Sequence, residues 1–202
     1  AGVQKNISLK KAWNLMQDNT VVTLPAVTED NILEGLITVG DITRSYMNVY
    51  DSSILSKACT QYSNILETLE GALVVGDENA YFDQGKVLVA AANPDMMEYY
   101  IEKNDLVILG NRYESQLCAI EMEASCIIVC EGAGVSMTIK KLAQERGCTV
   151  LTTPYDTYTA ARLINQSMPI SYFMTKDNLI TFGTDDFIDD IRDVMASKRH
   201  RD

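Results

Sequence analysis

The segment from Gly35 to Ile42, GLITVGDI, has residue types and a spacing that could bind a nucleotide. A glycine, a hydroxyl three residues later and a carboxylate three residues after that span a predicted strand-to-helix turn. A helix N-terminus offers unpaired N–H groups and a positive dipole end to phosphate. The Thr38 hydroxyl can bind phosphate, and Asp41 can accept both hydroxyls of a ribose. The alternative is that Asp41 only caps the helix and Thr38 bonds its own turn.

The elements that position this turn belong to a first segment, residues 1–58. Ser8 is a candidate N-cap, because its side chain can accept a hydrogen bond from the first helical turn. The apolar residues that follow recur at the spacing of an amphipathic helix: Leu9, Ala12, Trp13 and Met16. Strands are predicted at 21–27 and 32–38, and a second helix opens near Asp41. The order is helix, strand, turn, strand, helix.

The middle segment, residues 59–168, alternates short apolar runs with stretches of helical character. The predicted strands are 72–75, 87–92, 106–109, 126–130 and 148–152, and the predicted helices are 94–101, 114–124, 136–146 and 156–166. Buried apolar strands separated by helices are typical of βαβ units. The segment therefore predicts a mostly parallel sheet.

The third segment, residues 169–202, repeats the strand-then-helix order of the first segment. A strand is predicted at 178–182 and a helix at 185–195, after which the chain ends before a second half of this repeat. We interpret the two end segments as an internal repeat separated by the middle one. The basic run 198–201 is either a solvated, frayed end or a phosphate-binding group, since the planar fork of arginine can grip phosphate oxygens.

Composition narrows the function classes. The net charge of −11, with 28 acidic and 17 basic residues, argues against a nucleic-acid-binding protein. No apolar run approaches the ~20 residues of a membrane span, and no signal-peptide pattern opens the chain. The five cysteines are interpreted as reduced thiols, which predicts a cytoplasmic protein. One histidine, His200, cannot build a histidine-rich metal site, so no catalytic or metal-binding residues are predicted.

The first segment, with its string at 33–42, resembles a cystathionine-β-synthase (CBS) domain, and Met174-Thr175 followed by 178–181 resembles the start of a second one. Such motifs pair into a module whose clefts bind adenosine nucleotides. The resemblance implies phosphate and ribose contacts by Thr38 and Asp41, and an adenine pocket lined by Tyr172, for which an ordinary core tyrosine is the alternative. The expected ligand set is Gly35, Thr38, Asp41, Tyr172, Thr175, Arg199 and Arg201.

The middle segment resembles a DRTGG domain in the strings 85–91, 105–112 and 152–161. The literal Asp-Arg-Thr-Gly-Gly string is absent, and its nearest echoes are Asn111-Arg112 and the glycines of 131–134. The expected fold class is α/β: a CBS-domain pair (a Bateman-type module) interrupted by a DRTGG parallel α/β domain. The middle domain is expected to act as a spacer and dimer support.

This organisation resembles the regulatory region of family II inorganic pyrophosphatases from some bacteria. The resemblance implies a homodimer inhibited by AMP or ADP and activated by ATP or diadenosine polyphosphates such as diadenosine tetraphosphate, acting on catalytic domains of the same chain. Other hosts, a transcription regulator or an acetyltransferase, are the alternative. A stand-alone nucleotide hydrolase is disfavoured because we find neither a nucleophile–base pair nor a metal cluster.

Overall fold

The first segment folds in the predicted order in the computed structural model, which describes residues 2–47, 51–90, 94–177 and 179. Its elements are α1 (Leu9–Asn19), β1 (Thr23–Val27), β2 (Leu33–Thr38) and α2 (Val39–Met47). The side chain of Ser8 accepts a hydrogen bond from the Lys11 N–H at 3.0 Å and caps α1 as predicted. Strands β1 and β2 pair antiparallel, with Thr23 opposite Thr38.

The middle of the chain adds six helices and seven strands within the described residues. They are α3 (Ile54–Lys57), β3 (Thr60–Gln61), α4 (Tyr62–Thr68), β4 (Ala72–Val75), β5 (Tyr81–Phe82), β6 (Val87–Val89), α5 (Pro94–Met97), β7 (Leu106–Leu109), α6 (Tyr113–Glu121), β8 (Cys126–Val129), α7 (Met137–Arg146), β9 (Thr149–Thr152) and α8 (Thr157–Leu163), followed by 3-10 turns at Ile164–Ser167 and Ile170–Tyr172. The main sheet has the strand order β4-β9-β8-β7-β6. All its pairings are parallel except that of β4 with β9, so the predicted mostly parallel sheet is confirmed.

Several predicted helices and strands are longer than the elements in the structure. The strand predicted from residue 21 begins at Thr23, because the Val21 N–H still donates to Met16 O at the end of α1. The predicted helix 94–101 ends at Met97, and its continuation tightens into a turn in which Tyr100 N–H donates to Met97 O at 3.0 Å. The helix predicted for 156–166 ends at Leu163 and gives way to a 3-10 turn.

Alternate residues of the central strands face opposite sides of the sheet, as the pleat requires. Leu106 and Ile108 belong to a buried cluster that also contains side chains of α1, α4 and α8. Val107 and Leu109 belong to a second cluster, formed against α5, α6 and α7. The sheet is thus covered on both faces, and the first segment helps to cover one of them.

The two end segments meet, as predicted for a CBS pair. Ser8 and Pro169 form an antiparallel bridge, and the Ile170 N–H donates to Ile7 O at 2.9 Å. Met174 lies in the same buried cluster as α1. The predicted strand 178–182 (apart from residue 179) and helix 185–195 lie outside the described residues.

All five cysteines are free thiols. Cys126, Cys130 and Cys148 are buried, whereas Cys118 is half-buried and Cys59 is exposed. Burial raises the pKa of Cys130 to about 11 and of Cys148 to about 12, so both thiols are protonated and unreactive at neutral pH.

Candidate functional site

The turn between β2 and α2 forms a reciprocal capping arrangement. The Asp41 N–H donates to Thr38 Oγ1 at 3.1 Å, and the Thr38 N–H donates to Asp41 Oδ2 at 2.9 Å. Each side chain therefore satisfies a backbone donor of the other residue. The capping role considered from the sequence is present, and it uses only one of the two Asp41 carboxylate oxygens.

The second oxygen of Asp41 accepts a hydrogen bond from the guanidinium of Arg44, one turn further along α2. The Asp41 side chain is only 4% exposed, whereas that of Arg44 is 72% exposed. The solvent-exposed Arg44 side chain thus shields a buried carboxylate from water. A side chain of alanine size would fit at Gly40 beside Arg44, because a Cβ there would lie 3.5 Å from Thr38 Oγ1 and 3.6 Å from Arg44 Nη1.

Arg44 was not among the residues selected from the sequence. The signal that could have revealed it is the three-residue spacing from Asp41, because residues i and i+3 on a helix are neighbours. The same spacing also suits a solvated surface pair, so the sequence alone does not distinguish the two cases.

Gly35 and Thr175 lie close together where the first and third segments meet. The N–H of each of Leu36 and Thr175 donates to the carbonyl of the other at 2.9 Å, which forms an antiparallel bridge. A Cβ on Gly35 would lie 2.8 Å from Met174 Sδ and 2.9 Å from Thr175 O. In the structure, the absence of a side chain at Gly35 lets the segment around Thr175 approach β2.

We expect Gly35→Ala to lower the free energy of unfolding by about 1–3 kcal/mol, because the added methyl group overpacks this contact. Chemical denaturation monitored by circular dichroism measures the loss. Gly40→Ala is the matched control, because its Cβ would make only ordinary contacts, and we expect no destabilisation from it. Equal stabilities for Gly35→Ala and the unmodified chain would contradict this prediction.

Tyr172 lies in the 3-10 turn Ile170–Tyr172 and is 47% exposed. Its ring meets that of Phe173 edge to face, with centroids 5.0 Å apart. It also lies near the ion pair of Lys57 and Asp51, whose nitrogen and oxygen are 2.8 Å apart. Hydrogen bonds from Lys57 and Ser53 lower the pKa of Asp51 to about 2. Tyr172 is thus partly exposed on the same chain segment as Thr175, whereas Arg199 and Arg201 lie outside the described residues.

A cleft of about 620 Å³ borders the C-terminal half of α2. Tyr46 lines it from α2, and Tyr158 and Arg162 line it from α8, where the Arg162 guanidinium lies 5.7 Å from the centre of the Tyr158 ring. Ligand pockets commonly enclose ~300–1,000 Å³, so this space could admit a nucleotide-sized molecule.

The echoes of the DRTGG string lie in loops at the carboxyl edge of the main sheet. Asn111 and Arg112 connect β7 to α6, and Arg112 makes no side-chain capping bond there. Gly132 has a positive φ of 65° and its N–H donates to Thr153 O. These residues make a strand-end turn.

Residues 2–47, 51–90, 94–177 and 179 contain no group of three or more His, Cys, Asp or Glu side chains placed to hold a metal ion. No helix among them is both long enough and apolar enough to cross a bilayer.

Residues 2–48 match the CBS domain family and residues 64–167 match the DRTGG domain family. The fold matches the crystal structure of the CBS and DRTGG domains of the regulatory region of Clostridium perfringens pyrophosphatase, complexed with the activator diadenosine tetraphosphate. The TM-score is 0.92 at 40% identity, over 99% of this chain and 87% of that one. The chain belongs to the CBS–DRTGG regulatory regions of inorganic pyrophosphatases.

The CBS–DRTGG region spans about a third of the length of the curated relatives it matches. It is 40% identical over 201 residues to the cobalt-dependent inorganic pyrophosphatase of C. perfringens, covering 99% of this chain and 36% of that protein. It is 25% identical over 187 residues to a Thermotoga maritima protein named "Probable manganese-dependent inorganic pyrophosphatase", covering 93% and 34%. The matched relatives thus carry further sequence besides the part that corresponds to this region.

Proposed function

We propose that this CBS–DRTGG region binds adenine nucleotides beside the Thr38–Asp41 turn and controls the activity of an inorganic pyrophosphatase. The observation that carries the proposal is the turn itself: a helix N-terminus, a hydroxyl and a carboxylate lie together where β2 meets α2. The diadenosine tetraphosphate bound to the C. perfringens region supports the choice of an adenine nucleotide.

The chemistry of the turn suits a nucleoside phosphate. The Asp41 carboxylate can accept ribose hydroxyls on the oxygen that pairs with Arg44 in this structure, because an ionised carboxylate accepts about four hydrogen bonds. The N-terminal end of α2 and the Thr38 hydroxyl can bind phosphate oxygens. Thr175, held beside Gly35 by the backbone bridge with Leu36, would border the ligand from the second CBS motif. Tyr172 would offer its ring to the adenine, and Arg199 and Arg201 their charge to the phosphates.

Calorimetry on the 202-residue chain with AMP, ADP, ATP and diadenosine tetraphosphate tests the proposal. We expect dissociation constants of about 1 μM or lower, equivalent to about −8 kcal/mol. We also expect a rise in melting temperature, because a ligand that binds only the folded state stabilises it. GMP is the control for recognition of the base. The absence of both heat and a melting shift with all four adenine nucleotides would refute the proposal.

We propose that AMP and ADP inhibit and that ATP and diadenosine polyphosphates activate a catalytic part of the same longer chain. An effector regulates only through different affinities for two states. We propose that the two states differ in the geometry of a homodimer interface, in which the CBS pairs of two chains face each other.

We expect diadenosine tetraphosphate to bridge two clefts and AMP to fill one cleft per chain. A linker carrying an adenosine at each end fixes the separation of the clefts, which a mononucleotide cannot do. Small-angle scattering should therefore give different dimer dimensions with the two ligands. If the bridge joins two chains, titration with diadenosine tetraphosphate should saturate at fewer ligand molecules per chain than titration with AMP. Superimposable scattering curves, or a monomer at micromolar concentration, would overturn this expectation.

A further inference from the structure

We infer that Arg44 occupies the ribose position on Asp41 when no nucleotide is bound, and turns to the phosphate when one binds. The inference rests on the proposed nucleotide site and adds a residue that discriminates between nucleotides and nucleosides. It starts from the ion pair in which the Arg44 guanidinium donates to Asp41 Oδ1.

The carboxylate of Asp41 has no open face in this arrangement. Oδ2 accepts the Thr38 N–H, Oδ1 accepts Arg44, and the side chain is 4% exposed. A ribose could therefore reach Oδ1 only if the guanidinium moved aside. The Arg44 side chain is 72% exposed, so little packing among the described residues opposes that movement.

The displaced guanidinium would remain beside the phosphate position. Its Nη1 lies 3.6 Å from the Cβ position of Gly40, in the first turn of α2, and that position is 3.5 Å from the Thr38 hydroxyl. Guanidinium and helix N-terminus both favour an anion there. A nucleotide would thus replace one charge-assisted pair, Arg44 with Asp41, by another between Arg44 and phosphate. A nucleoside would break the first pair without providing the second.

The test compares AMP with adenosine on the 202-residue chain and on Arg44→Gln. We expect Arg44→Gln to weaken AMP about 10- to 100-fold, which corresponds to loss of one charge-assisted hydrogen bond. We expect adenosine to bind equally well or up to about fivefold more tightly, because the solvent-exposed guanidinium that competes for Asp41 has been removed. The opposite responses of the two ligands separate this role from a purely structural one.

Arg146→Gln is the matched control, since it removes a positive charge from the last turn of α7, and we expect both affinities to stay unchanged. A parallel loss of AMP and adenosine binding in Arg44→Gln, or no change in either, would overturn the inference while the proposed function stands. Absence of AMP binding to the unmodified chain would overturn both.

Discussion

Replacing Asp41 by alanine is expected to weaken AMP, ADP and adenosine alike by about 10- to 100-fold. The reason is that a bound ribose would donate a hydroxyl to this carboxylate, and one hydrogen bond to a charged group contributes roughly 1.5–3 kcal/mol. All three ligands share the ribose, so their affinities fall together. Isothermal titration calorimetry on the variant and the unmodified chain measures the change.

The control for Asp41→Ala must remove a helix cap without touching the site. Ser136→Ala does so, because the Ser136 side chain accepts the Ile139 N–H at 3.3 Å at the start of α7. Each substitution should cost about 1 kcal/mol of stability through the lost cap, but only Asp41→Ala should lose nucleotide binding. An AMP dissociation constant within twofold of the unmodified value for Asp41→Ala would show that Asp41 is only a cap, or that another cleft is occupied.

Replacing Asp105 by alanine is expected to lower the free energy of unfolding by about 3 kcal/mol. The Asp105 carboxylate is buried, and it accepts bonds from the Lys86 N–H at 3.1 Å, the Lys86 ammonium at 2.8 Å and the Glu102 N–H at 2.9 Å. Alanine would leave two backbone donors and a partly buried cation without this acceptor. Removing one partner of a buried pair is strongly destabilising, because the groups that remain have lost both water and their acceptor.

Urea denaturation at neutral pH measures the Asp105→Ala effect. Asp77→Ala is the control, because Asp77 is exposed and, among the described residues, its carboxylate accepts only the local Asn79 N–H. We expect a change within ~0.5 kcal/mol for this control, as for most surface substitutions. A loss below 1 kcal/mol for Asp105→Ala would mean that water replaces the carboxylate at this end of β7.

The turn that carries the candidate site was predictable because its signals are local. Strand, capping residues and helix follow one another within 33–47, and each has a short-range pattern. Arg44 was missed because a helical surface charge has many possible partners, and only the folded chain shows that it covers Asp41. Gly35 was assigned to the ligand, whereas its visible contact is with Thr175, about 140 residues away. Such a pairing leaves no short-range pattern in the sequence.

The α/β alternation of the middle segment was also predictable, but strand direction was not. The run Ala72–Val75 is apolar like its neighbours, yet it pairs antiparallel with β9 at the edge of the sheet. An apolar tetrapeptide does not specify the direction of its strand in the sheet. That direction depends on the end of the sheet at which the chain arrives after α4. Similarly, the helix at 94–101 was overestimated because its apolar pattern continues through a tight turn.

One buried cluster is shared by α1, α4, α8 and one face of the sheet. The border between the CBS and DRTGG matches therefore does not separate two units that unfold independently. Leu9 and Met16 belong to the CBS match, and Ile65 and Ile108 to the DRTGG match, yet they lie in one cluster. Opening either part exposes apolar surface of the other, so the two should melt as a single unit. A nucleotide held at α2 would then slow amide deuterium exchange in β7 and β8, strands that it does not touch.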